Sequence, residues 1–147
     1  MISSVDSLLG SWRSSGVVLN PGASVSQLAA TAKRLGASLP SELHELLLAC
    51  NGMPSNEWDP RHTIRWMPTD EWFQLNGEPG WQSEHSRGAW VFADYLLGSH
   101  FYAIKLGLRP KNSQVFVLDD RSEKLISSTF LGFLRLHLFG NDTAIFF

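Results

Sequence analysis

The sequence has little of several features that mark specialised protein classes. It contains one cysteine, Cys50, which excludes an internal disulfide and a multi-cysteine metal site. Charged residues make up only 18% of the chain, and 12 lysines and arginines nearly balance 14 aspartates and glutamates, for a formal net charge of -2. This balance gives no general attraction to nucleic acid or to an anionic membrane, so we expect no direct binding to either.

Long apolar runs are missing as well. No segment approaches the roughly 18 apolar residues of a membrane-spanning helix, and residues 1–10 lack the basic and apolar regions of a signal peptide. Together with the single cysteine, this predicts a reduced, cytoplasmic protein. The chain has 147 residues, of which 44% are hydrophobic, and this suits a single globular domain over residues 1–147.

Two helices joined by a short connection form the clearest local pattern. Ser24 and Gln27 have the spacing of a capping box at the start of the first helix, and the second is expected over residues 40–50. Gly36 and Gly52 follow these helices where a left-handed cap favours glycine. The second helix has apolar residues with the spacing of one buried stripe, at Leu43, Leu46, Leu47 and Cys50.

The second half of the chain predicts an antiparallel sheet. Residues 90–94, 101–106 and 115–118 have strand composition and are separated by short turns, which implies antiparallel neighbours. Short strands at 64–67 and 125–126 and a last helix ending at Phe139 complete the pattern. The predicted class is α+β, with a mostly antiparallel twisted sheet of about four to six strands flanked by helices.

The C-terminal residues 144–147 read Ala-Ile-Phe-Phe, which is too apolar to stay in solvent. We expect them to dock on the body of the domain, to pair at a sheet edge, or to contact another chain. The last alternative includes a homodimer.

No motif of catalysis, cofactor binding or metal binding is present. The five histidines show no i, i+4 pair, the glycines form no phosphate-binding loop, and no nucleophile elbow occurs. Cys50 lies on the apolar stripe of a helix, which is typical of a buried core thiol. We therefore expect no catalytic, cofactor or metal site; an enzyme would need a deep pocket that gathers histidine, aspartate and Cys50.

The middle third of the chain is both acidic and rich in tryptophan. Residues 52–94 contain seven acids and three arginines, a local charge of -4, and five of the six tryptophans. Three of these, at positions 66, 72 and 90, lie in or beside predicted elements and are expected to pack. Trp58 and Trp81 lie in polar loops, flanked by Glu57, Asp59 and Glu84. These five side chains are the predicted partner-binding residues: the indoles would be interface anchors, and the acids would supply charge complementary to a basic partner. The alternative for the two indoles is that they fold back onto the domain.

The order of these segments resembles the SUKH superfamily of Smi/Knr-like proteins over residues 24–138, most of the chain. The likeness rests on the Leu-Gly to Leu-Pro connection at 35–40, the Asn-Gly at 51–52, the hairpin at 91–104, the strand at 115–119 and the helix at 128–134. The resemblance implies the α+β fold of that family and a role that needs no catalysis.

Two binding functions follow from the resemblance. Bacterial members are largely immunity proteins that bind and neutralise polymorphic toxins, many of them nucleases, and fungal members act as scaffolds in cell-wall signalling. An immunity role implies a protein toxin as partner, and a nuclease would offer a basic face to which the acids could bind in place of phosphates. The alternative is a scaffold or regulatory module without a toxin.

Overall fold

A computed structural model of the chain describes residues 2–75, 85–95, 98–107, 113–141 and 143–147. Within these residues it is an α+β domain with four α-helices and six strands, which confirms the predicted class. None of the helices in the described ranges is long and apolar enough to cross a membrane. The helices are α1 (Ser4–Ser14), α2 (Val25–Leu35), α3 (Ser41–Ala49) and α4 (Phe130–Phe139); the strands are β1 (Ile64–Trp66), β2 (Phe73–Gln74), β3 (Trp90–Tyr95), β4 (His100–Lys105), β5 (Gln114–Leu118) and β6 (Glu123–Ser127).

The helix boundaries follow from local capping. The Ser24 hydroxyl accepts the Gln27 amide and the Gln27 side chain accepts the Ser24 amide, so the predicted capping box is present. Gly36 ends α2 with a left-handed φ of 73°. Gly52 differs from expectation: α3 ends at Ala49, and Cys50 is its extended C-cap. Gly52 has a φ of 72°, and its backbone packs against Met67 and Pro68 with no room for a Cβ, so glycine is required there on both grounds.

The sheet is antiparallel with strand order β1-β3-β4-β5-β6, and β2 also pairs with β3. Tyr102 of β4 lies opposite Val117 of β5, and Phe101 lies opposite Leu118. Because side chains alternate along a strand, Tyr102 faces α4 while Phe101 faces away from it. The central strand β4 is buried on both faces, as predicted: Tyr102, Ala103 and Ile104 are fully buried.

α4 covers one face of the sheet, and α1 and α3 pack against α4. Its Phe133 contacts the rings of Trp66, Phe92 and Tyr102, which lie in β1, β3 and β4. On the other face of the sheet, the His85 and Ser86 amides donate to Glu123 of β6. α4 is therefore the element to which both the sheet and the N-terminal helices are attached.

The C-terminal residues dock on the body of the domain, which is the first of the three expected arrangements. Ile145 is fully buried, and its carbonyl oxygen accepts a hydrogen bond from the Tyr102 hydroxyl at 2.9 Å. Phe147 is 48% exposed. A homodimer through this segment stays a prediction, and Phe147 is the large apolar side chain that the docked segment still offers.

Candidate functional site

The structure separates the predicted contact residues. Trp58 is 49% exposed on the loop between α3 and β1, and Glu57 beside it is half-buried. Asp59 is only 2% exposed. Trp81 and Glu84 lie outside the described residues. The loop thus presents the Trp58 indole to solvent, whereas the Asp59 carboxylate is directed into the domain.

Asp59 is buried, which contradicts the expectation that its carboxylate is exposed to a partner. Its Oδ2 accepts the Trp12 indole N–H at 2.8 Å and faces His137 Nε2 at 2.7 Å, and its Oδ1 accepts the Arg61 amide at 2.8 Å. A buried carboxylate is tolerated when donors satisfy it, and these donors come from α1, α4 and the loop itself. The local sequence is polar and bounded by prolines, which indicates a surface loop. It contains no signal that the Asp59 side chain is buried.

The protonation states of the pair follow from its surroundings. Burial alone would raise the pKa of Asp59, but the hydrogen bonds from His137, Trp12 and Arg61 together hold that pKa below its usual value. Burial lowers the pKa of His137, and the attraction to Asp59 opposes this only in part. His137 is therefore neutral near pH 7 and donates Nε2–H to an ionised Asp59.

The loop also caps the C-terminal end of α4. The Arg61 guanidinium donates to the Leu138 carbonyl oxygen, and His62 Nε2 donates to the His137 carbonyl oxygen at 2.9 Å. Carbonyl groups in the last turn of a helix lack intrahelical partners, and a cation there is favoured by the helix dipole. Three residues of the loop, at 59, 61 and 62, thus hold it against residues 137–138.

Phe139 adds a second exposed ring beside the loop. It is the last residue of α4 and is 73% exposed, whereas Leu138 before it is buried. Because residues 59–62 are bonded to the last turn of α4, Trp58 and Phe139 project from two segments that are fixed to each other. We call the exposed side chains of these two bonded segments, Trp58, Arg61 and Phe139, the Trp58 patch. Sequence reasoning missed Arg61 and Phe139; an apolar residue off the buried stripe of a helix was the available signal for Phe139.

Two of the seven acids of residues 52–94 do not offer a free negative charge at the surface. Asp59 is enclosed, and Glu71 forms a bidentate ion pair with Arg65 at 2.9 Å and 3.0 Å. The hydrogen bonds from Arg65 lower the pKa of Glu71. Glu57 precedes Trp58 in the loop and Arg61 follows it, so with Asp59 buried the loop has one acid and one base outside the core at residues 57–61.

His137 and Cys50 are both buried, and burial favours the uncharged form of each. The side chain of His137 is 1% exposed, and its Nδ1 has no hydrogen-bond partner among the described residues. Burial raises the pKa of the Cys50 thiol to about 11, which keeps it protonated. In the described part of the chain, no three histidine, cysteine or acidic side chains are placed to hold a metal ion.

Comparison with known proteins identifies the family. The family model described as the SMI1 / KNR4 family (SUKH-1) matches residues 22–136, which include α2, α3, the whole sheet and most of α4. Comparison with the curated proteins gives no match. The order of helices, sheet and final helix is the one that the resemblance implied, and the family match confirms it. The chain belongs to the SMI1/KNR4 family (SUKH-1).

Proposed function

We propose that this protein is a non-enzymatic binding module of the immunity type, which binds and neutralises a cognate polymorphic toxin in the cytoplasm. Family membership supports a binding role. The single observation that carries the contact site is Trp58, a half-exposed indole on a loop that is bonded to two helices. A preorganised aromatic anchor loses little conformational freedom on binding, which is why tryptophan is enriched at interface hot spots.

The Trp58 patch is suited to a partner with an apolar pocket and a mixed-charge rim. Trp58 and Phe139 supply apolar area, and Arg61 and Glu57 supply charges of opposite sign. The acids at the surface of the middle third, such as Asp70, would add long-range attraction to a basic toxin such as a nuclease. Trp81 and Glu84 remain proposed members of the contact surface.

The test is binding to the toxin whose gene lies beside the gene for this chain. Trp58→Ala should weaken binding about 30-fold, since an interface hot spot contributes about 2 kcal/mol or more and 1.4 kcal/mol is tenfold. Leu125→Ala is the matched control, because Leu125 is 47% exposed on the sheet face that α4 does not cover. Its affinity should stay within about twofold of wild type, as for residues outside an interface.

Each result decides a different point. Equal affinity of wild type and Trp58→Ala would remove the Trp58 patch from the contact surface. Failure of the wild-type chain to bind the toxin or to protect cells from it would refute the immunity role. In that case a scaffold without a toxin partner becomes the better hypothesis.

A further inference from the structure

The C-terminal segment Thr143–Phe147 packs beside the loop that carries Trp58. Its Phe146 ring is half-buried and lies at the centre of an aromatic cluster. The ring centroid of Phe146 is 5.1–6.5 Å from four other rings, those of Tyr95, His100, His62 and Tyr102. Edge-to-face contacts at these distances are favourable, so Phe146 has a defined position.

Two side chains of the sheet donate hydrogen bonds to backbone carbonyl groups of this segment. The Tyr102 hydroxyl donates to the Ile145 carbonyl oxygen, and Lys124 Nζ donates to the Phe146 carbonyl oxygen at 2.8 Å. Both donors belong to strands of the sheet, β4 and β6. Phe146 is therefore held by the sheet, and its ring is a fixed support for whatever packs on it.

His62 packs on that support and also holds the loop. Its ring lies 6.1 Å from Phe146 and 4.7 Å from His137, and its Nε2 donates to the His137 carbonyl oxygen. In the same loop, Asp59 forms hydrogen bonds with Trp12 and His137. A continuous set of contacts therefore runs from Phe146 through His62 to the segment that presents Trp58.

We propose that Phe146 is a positioning residue for Trp58: by packing on His62 it keeps the loop at residues 58–63 closed on the last turn of α4. Without the ring, His62 gains room to move, and the loop opens more often although none of its own hydrogen bonds has been removed. The consequence for partner binding rests on the proposed function, whereas the consequence for the loop does not.

Residue-resolved hydrogen exchange tests this directly. The Trp12 indole N–H and the Arg61 amide report on the loop, because both donate to the Asp59 carboxylate and the Trp12 bond joins the loop to α1. Phe146→Ala should accelerate their exchange about tenfold, or about 1.4 kcal/mol of local opening, after correction for any change at the amides of β4 and β5. Phe147→Ala is the matched control, since Phe147 packs on His100 and is more exposed.

The outcomes are distinct from those of the binding test. Faster exchange confined to the loop in Phe146→Ala, and absent in Phe147→Ala, supports the inference even when no toxin is bound. An unchanged loop, or equal acceleration throughout the chain, overturns it. If Phe146→Ala does not fold, Lys124→Met removes only the hydrogen bond to the Phe146 carbonyl and should give about a threefold local effect, with the same refuting results.

Discussion

Replacing Asp59 with asparagine is expected to lower the free energy of unfolding by about 2 kcal/mol. The substitution preserves the shape of the side chain but removes its charge and one acceptor oxygen. In the native protein, Asp59 accepts from Trp12 and His137 at one oxygen and from the Arg61 amide at the other.

The magnitude follows from how an amide can be placed in that site. If the asparagine oxygen takes the position shared by Trp12 and His137, its NH₂ group meets the Arg61 amide, and one donor is left without an acceptor at a loss of about 1 kcal/mol. Two hydrogen bonds also lose a charged acceptor. The loss of charge weakens those bonds and contributes about another 1 kcal/mol, since hydrogen bonds to charged groups are stronger than neutral ones. The lowered pKa of Asp59 shows the same preference of the site for the charged form.

Urea unfolding measures the effect. For a domain of this size, 2 kcal/mol corresponds to a shift of about 1 M in the urea midpoint with an unchanged slope. Asp120→Asn is the control, because Asp120 is an exposed carboxylate, and a surface change of this kind stays within about 0.5 kcal/mol. If Asp59→Asn unfolds at the same midpoint as Asp120→Asn, the Asp59 carboxylate does not hold the loop to Trp12 and His137.

Two further predictions concern acid stability and backbone fit. Because the pKa of His137 is lowered from 6.5, the unfolded chain binds a proton more readily than the native one. The stabilisation from the neutral imidazole is therefore fully present above pH 6.5 and is lost as the pH falls below it. Urea titrations between pH 5 and 7.5 should show this dependence, and His137→Gln should reduce it. Gly52→Ala should lower the free energy of unfolding by about 3 kcal/mol, since its Cβ would lie 2.5 Å from the Met67 carbonyl carbon. Gly36→Ala is the control: Gly36 has a similar positive φ but open space around it, so the loss should be about 1 kcal/mol. Equal losses in thermal unfolding would contradict the steric explanation.

The parts of the fold that could be predicted are those set by neighbours along the chain. The capping box at Ser24 and the αL cap at Gly36 act over three or four residues, and both are confirmed. The strand at residues 115–118 was predicted to within one residue of Gln114–Leu118. Local periodicity and capping carry this information without help from distant residues.

The candidate site could be predicted only in part. Trp58 stands out because a large aromatic residue in a polar loop is unusual, and it is half-exposed. Asp59, its neighbour, was placed on the same surface and is buried. Its partners Trp12 and His137 are 47 and 78 residues away along the chain, so no local pattern announces them.

The sequence by itself determined the class of fold and the two-helix start of the core, because apolar spacing and caps are short-range and act before the chain is folded. The family was indicated by the resemblance in the order of these segments and is shown by the family match. Only the tertiary structure decided which side of the Trp58 loop meets solvent. The fold brings the Trp12 indole of α1 and the His137 imidazole of α4 to the Asp59 carboxylate, and it packs Phe146 on His62 of the same loop. A carboxylate is buried only where hydrogen-bond donors satisfy it, and these donors are distant along the chain.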